Sequence, residues 1–295
     1  MSFGVGENVG PYRIMEQLGQ GGMATVYKAY HAALDRYVAL KALHPAFGED
    51  PNFQARFQRE ARLVAKLEHP HIVHVGVSPY ELALTKDGKR LFVSNWGDKT
   101  VSVVDAASLK VIKTIPVGFN PNDMVLAADG RLFVACSNEN TVYVIDTRSL
   151  EVLETISTAL YPKAPLGSTP NSLALDAKRR LLFVANADNN DIAVIDVHAR
   201  AHSNVLGFIP AGWYPSALAL GEAGQALYIG SSKGESGHPT LRGPTSPLVA
   251  KGEPNDTIKT LQKSSVERLP LAGLQARLAA WTRQVFANTT LSAPT

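Results

Sequence analysis

"RLFVSNWGDKTVSVVDAASLKVIKTIPVG", residues 90–118, reads as three strands in succession. "RLFVSN" and "TVSVVD" are short runs rich in β-branched and aromatic residues, separated by a turn, and "KVIKTI" alternates apolar with polar residues as a strand with one wet face does. A further apolar run, "ELAL" at 81–84, precedes them across Asp87-Gly88, a pair that favours a tight hairpin because glycine tolerates positive φ. The order returns, in whole or in part, three more times downstream.

Four registers align on Pro79, Pro121, Pro170 and Pro215, which are 42, 49 and 45 residues apart. That period suits a four-stranded propeller blade and is too long for a leucine-rich or ankyrin repeat. Each register has a first strand ("ELAL", "DMVL", "SLAL", "ALAL") and a second ("RLFVSN", "RLFVAC", "LLFVAN", "ALYIGS"). The first three add a third strand ("TVSVVD", "TVYVID", "DIAVID"), and the first two an outer one ("KVIKTI", "EVLETI"). Asp129-Gly130 and Ala223-Gly224 repeat the turn chemistry of Asp87-Gly88. Asp105, Asp146 and Asp196 end the third strands, where a carboxylate is expected to cap turn amides and not to act in catalysis. Residues 231–254, dense in Gly, Pro, Ser and charge, read as a loop inserted into the fourth unit. "DTIKTLQKSSVERLPL" after it is expected to return as one or two outer strands. The fold expected is mainly β, a partial propeller of about three and a half to four blades. An unclosed ring leaves sheet edges that invite pairing, so residues 11–75 would supply strands to the first edge or the chain would form oligomers through its open edges.

"LGQGGMATVYKA" at 18–29 poses a different chemistry. Gly19, Gly21 and Gly22 let backbone amides approach an anion, and Val26 and Tyr27 carry strand-forming side chains, so the stretch reads as a hairpin over phosphates. Alone it is a weak signal, since the third glycine position holds Ala24. "VALK" at 38–41 follows at strand spacing, and then "FQARFQREARLVAKLEHPHIVHV" at 53–75, where Leu63, Val64 and Leu67 mark a helix with Glu60 on a neighbouring face.

Through these motifs, residues 11 to about 75 resemble the amino-terminal lobe of a bacterial serine/threonine protein kinase, a small α+β unit. The resemblance implies that Gly19, Gly21 and Gly22 cover the phosphates of ATP, Val26 lies against adenine, Lys41 holds the α and β phosphates, and Glu60 pairs with Lys41. No H-R-D-like loop followed by asparagine, no D-F-G-like triplet and no A-P-E-like triplet occurs between residues 76 and 295. The hinge that would bond adenine is missing too. ATP binding is therefore expected to be weak, with no catalytic residue and no metal assigned.

Residues 76–270 resemble the YVTN-type β-propeller family that precedes bacterial phosphoesterase domains. "LAGLQARLAAWTRQVFANT" at 271–289 looks like the helix that leads into such a domain, with Leu274, Leu278, Trp281 and Val285 at helical spacing and in need of an apolar surface. No alkaline-phosphatase-like cluster of Asp and His follows it. The expected domains are thus 1–75, a kinase-lobe fragment; 76–270, a partial propeller with its 231–254 insertion; and 271–295, an amphipathic helix and tail.

Composition bounds the rest. The net charge of +3 over 295 residues and the lack of any Lys/Arg run argue against nucleic acid and against an anionic membrane surface. The single cysteine, Cys136, stands where "FVSN" and "FVAN" have asparagine and is expected to be packed. The amino terminus has no basic segment followed by an apolar run, which suggests a cytoplasmic product. His69, His71 and His74 are expected to pack at the end of the kinase-like helix and not to bind metal. "DNND" at 188–191 lacks the glycine and distal glutamate of a calcium loop and reads as a turn. Three functional classes follow: a non-catalytic scaffold whose propeller meets a protein or small-molecule ligand, a nucleotide-responsive pseudokinase with a propeller sensor, or an accidental fusion of two truncated genes joined near residues 73–77.

Overall fold

The computed structural model describes residues 3–20, 24–32, 36–43, 71–234 and 263–289. The chain divides into two compact units, residues 1–72 and 73–295.

The first unit holds one antiparallel sheet in the order β1-β2-β3-β4, with β1 Asn8–Val9, β2 Tyr12–Gln20, β3 Ala24–His31 and β4 Arg36–Leu43. Alternation aims Ile14, Tyr27 and Ala29 into a small core with Val38 and Leu40. The Tyr27 hydroxyl, buried at one end of this core, accepts the Phe3 amide at 3.1 Å. Gly21, Gly22, Glu60 and the expected helix lie outside the described residues. Among the described residues of this segment, β1–β4 form a sheet of their own and no strand joins the first blade.

The second unit contains three four-stranded antiparallel meanders and one three-stranded sheet. The first blade is β5 Pro79–Leu84, β6 Arg90–Asn95, β7 Thr100–Asp105 and β8 Lys110–Pro116. The second is β9 Pro121–Leu126, β10 Arg131–Cys136, β11 Thr141–Asp146 and β12 Val152–Ser157. The third is β13 Pro170–Asp176, β14 Leu181–Asn186, β15 Asp191–Asp196 and β16 Asn204–Pro210. The fourth is β17 Pro215–Gly221, β18 Ala226–Ser231 and β19 Ser265–Pro270. Each first strand opens on its expected proline. Among the described residues, the sequence after the insertion supplies β19, paired with β18 along its whole length. Strands β8 and β12 are wetter than simple alternation suggests, with Ile115 and Ile156 as their fully buried residues.

Successive blades pack face to face, and the period-2 alternation assigns each residue to one interface. Phe92 lies against Leu132 and Val134 of the second blade, Phe133 against Leu182 and Val184 of the third, and Phe183 against Leu227 and Ile229 of the fourth. All three phenylalanines are fully buried. At the first blade the positions equivalent to Met124 and Leu126 are Leu82 and Leu84, which are 59% and 56% exposed. At the fourth, Val266 on β19 is 77% exposed. Among the described residues, the sheet edges at those points are left largely uncovered.

Polar contacts repeat with the blades. The residue before each proline, Ser78, Asn120, Thr169 or Tyr214, has a positive φ of 53° to 60°. Its carbonyl accepts an amide from just past the second strand: Trp96 at 3.0 Å, Ser137 at 3.2 Å, Ala187 at 2.9 Å and Ser232 at 2.9 Å respectively. A left-handed conformation on a non-glycine residue ahead of proline is costly and persists where such a bond fixes it. Arg131, 3% exposed, donates across the blade boundary to the carbonyls of Val197 at 2.7 Å and Ala199 at 3.0 Å, while Asp129 holds its Nε at 2.9 Å. Arg90 does the same toward Thr147 and Arg148. Between first strands, Asp123 Oδ2 accepts the Ser172 hydroxyl at 3.0 Å and the Leu173 amide at 2.6 Å, and Ser172 Oγ accepts the Leu218 amide at 3.2 Å.

The expected turn roles hold. Asp105 accepts the Ser108 amide, Asp146 those of Arg148 and Ser149, and Asp196 that of His198; these bonds keep the carboxyls of Asp105 and Asp196 below their ordinary range, and the Arg200 guanidinium, ahead of the turn amides, does so for Asp146. Asp188 and Asn190 of "DNND" serve as turn residues, accepting the Thr169 hydroxyl and the Tyr214 amide. Cys136 is fully buried, and burial pushes its thiol up to about 12. Helix α1, Leu274–Asn288, lies on β16 with Leu274, Leu278 and Val285 buried. Its Thr282 Oγ1 accepts the Phe208 amide at 2.9 Å. Gly207 permits that approach, since a Cβ there would sit 3.0 Å from Leu278 Cγ. Among the described residues no helix is long and apolar enough to cross a membrane.

Two predictions follow from this packing. Asp191 begins β15 fully buried; its Oδ1 accepts Asn186 Nδ2 at 2.8 Å while Oδ2 has no partner, and burial pushes its carboxyl up from 3.8 to about 7. A carboxyl whose folded pKa is raised binds its proton more tightly when folded, so its stabilising effect is complete below about pH 4 and is lost as pH rises to about 7. Asp191→Asn keeps the acceptor and removes the charge. By tryptophan-monitored urea unfolding, a probe of the second unit because Trp96, Trp213 and Trp281 all lie there, the variant should match the wild type at pH 4. Its advantage should grow to at most about 4 kcal/mol above pH 7. Arg131→Ala should cost about 2–4 kcal/mol in the same assay, because two carbonyls and Asp129 lose a charged partner at once.

Candidate functional site

Two registers build the site in the first unit. Val26 on β3 pairs with Lys41 on β4, and Gly19 on β2 pairs with Val26. The three residues predicted from the glycine loop and the "VALK" strand therefore form one row across three strands. Directly opposed residues share a face, so Val26 and Lys41 point away from the Tyr27–Leu40 core. Val26 is half-buried and Lys41 exposed.

The alternation of "VALK" puts Ala39, two residues before Lys41, on this face as well, opposite Lys28. Ala39 was legible from that spacing, but it is a small residue without a polar group to draw notice. Tyr30 and Tyr37 close the end of the face with ring centroids 5.3 Å apart, and Lys28 Nζ stands 4.8 Å from the centre of the Tyr37 ring. Gly19 follows a register shift between Gln17 and Gly19, and a Cβ added there would meet nothing within 4 Å. The fold of β2 therefore does not need glycine at 19, and its smoothness leaves the strand backbone open to a close neighbour.

Chemically, the row offers an apolar patch at Val26 and Ala39 and one ammonium group at Lys41, enough to meet a base and a phosphate from one side. Gly21, Gly22 and Glu60, the other residues assigned to it, lie outside the described residues. Among the described residues, no group of three His, Cys, Asp or Glu side chains is arranged to hold a metal ion.

The comparisons with known proteins agree with this division. Residues 12–90 match the protein kinase domain family. The segment is 52% identical over 66 residues to serine/threonine-protein kinase PksC of Streptomyces coelicolor and 43% identical over 70 residues to serine/threonine-protein kinase PknE of Mycobacterium bovis. These alignments cover 22% and 24% of this chain and 12% of either kinase, so the chain spans about an eighth of the length of those relatives. Among solved structures, hydrazine synthase of Kuenenia stuttgartiensis superposes on 70% of this chain and 50% of its own with a TM-score of 0.50 at 19% identity, a likeness of fold.

The kinase match continues past residue 72, where the first unit ends, into β5 and the first residue of β6. An apolar strand followed by an Asp-Gly turn fits both patterns, and the pairing of β5 with β6 assigns it to the first blade. The chain joins a segment similar to the amino-terminal part of a protein kinase domain to a set of propeller-type blades.

Proposed function

We propose that the chain is a non-catalytic binding protein whose propeller presents its loops to a ligand, and whose kinase-like sheet retains a weak ATP site on Gly19, Val26 and Lys41. The observation that carries this reading is the fate of the residues after 72. Where a kinase would continue into its hinge, catalytic loop and magnesium ligands, residues 79–270 supply blades, and residues 76–295 contain none of the corresponding motifs. A positioned base for the substrate hydroxyl and a metal to bridge the phosphates are both required for transfer. A lysine and an apolar strand face provide neither.

A second reading, a nucleotide-responsive pseudokinase module coupled to a propeller sensor, draws support from the Gly19–Val26–Lys41 row itself. Calorimetric titration with Mg-ATP separates the two. The scaffold reading predicts a dissociation constant in the millimolar range or no heat, and no change in the second unit's unfolding midpoint when ATP is added. The sensor reading requires submillimolar binding that Lys41→Met removes, together with an ATP-dependent shift of that midpoint. Gly19→Ala should leave stability within about 0.5 kcal/mol, as expected where the new methyl meets open space. Any heat it loses alongside Lys41→Met would assign that heat to the row.

A further inference from the structure

The end of the propeller that carries the first-to-second and third-to-fourth strand turns has three inter-blade grooves, and the chain treats them differently. Between the second and third blades, Arg200 spans the gap, donating to the Asp129 carbonyl at 3.1 Å and to the Asp146 carboxylate. Between the third and fourth, the first turn of α1 lies along the groove. Two close polar pairs lie in it, Arg179 with Asp176 at 2.6 Å and His198 with Asp196 at 2.6 Å.

Among the described residues, no such plug occupies the groove between the first and second blades. It encloses a cavity of about 750 Å³, within the range of small-molecule sites. Its apolar wall is Leu84, Leu126 and Ala127. Lys86, Lys89 and Arg148 line it and make no ion pair among the described residues. The guanidinium of Arg90, on the same wall, is committed to the carbonyls of Thr147 and Arg148. Asp87, the one carboxylate of the lining, already accepts the Thr85 hydroxyl at 2.6 Å and the Lys89 amide at 3.1 Å.

We propose that this groove binds a small organic phosphate, its dianionic head among Lys86, Lys89 and Arg148 and its apolar body against Leu84, Leu126 and Ala127. Three separate cations around one opening match a group with two charges and three outward oxygens better than a carboxylate, which offers one charge and two oxygens. Several cations lining one concave opening also concentrate the local potential toward an anion. The inference rests on the reading of the propeller as the ligand-presenting half of the chain and is independent of the nucleotide row.

The test is calorimetric titration of the full chain with phenyl phosphate, with phenol as the uncharged control. Three variants accompany it: the double substitution Lys86→Gln and Lys89→Gln, Ala128→Trp to fill the exposed lip of the groove, and Lys41→Met. The proposal predicts one saturable site for phenyl phosphate, none for phenol, affinity at least tenfold weaker in both groove variants, and unchanged affinity in Lys41→Met. Absence of saturation, or wild-type affinity in both groove variants, overturns it. Loss in Lys41→Met with the groove variants unaffected also overturns it and places the phosphate on the first unit. ATP binding and phenyl phosphate binding can fail separately, so the outcome for the groove does not decide the outcome for the row.

Discussion

A β-sheet with apolar residues on both faces is unstable in water by itself, and that constraint organises residues 79–270. Each blade presents a phenylalanine to the next, Phe92, Phe133 and Phe183 in turn, and receives its predecessor on a pair of aliphatic residues of its second strand. Burial of one such aromatic contributes on the order of 2–3 kcal/mol. The blades therefore hold one another up, and the whole array depends on stacking more than on any single hairpin. Arg131 and the Asp123–Ser172–Leu218 bridge fix the angle at which the stack is built, because they tie backbone groups of one blade to groups of the next. The same constraint explains α1: the stack leaves the outer face of β16 bare, and the helix lies over Gly207 to cover it.

Much of this was legible in the sequence because the period repeats a chemical need. Pro79, Pro121, Pro170 and Pro215 mark first strands since nothing in that position has to donate a ladder hydrogen bond, and Asp105, Asp146 and Asp196 recur since each turn has amides to satisfy. What escaped was chemistry that looks ordinary in one dimension. Arg131 at a strand start reads as a solvated charge until the third blade brings the carbonyls of Val197 and Ala199 to it. Strand β19 of the fourth blade lies beyond a long insertion, where alternation alone does not fix how many strands return. In the kinase-like segment the pairing of β2, β3 and β4 puts Gly19, Val26 and Lys41 in one row, an alignment that spacing alone did not specify, whereas Gly21, Gly22 and Glu60 lie outside the described residues.

The two units illustrate how far a motif can be separated from the machinery that gives it meaning. Val26 and Lys41 are held in register by β3 and β4 alone, so a short sheet preserves their geometry without help from a catalytic lobe. Transfer of a phosphoryl group needs charge stabilisation and alignment from several directions at once. The propeller blades, by contrast, expose loops and grooves whose side chains differ from blade to blade, which is how a repeated scaffold acquires a specific binding place.

Incubating the full chain with magnesium and ATP labelled in the γ-phosphate, and following label on the chain itself and on a basic protein acceptor, tests the non-catalytic reading most directly. The account predicts no incorporation above a sample lacking the chain. Incorporation that rises with the concentration of the chain and disappears in Lys41→Met would contradict it.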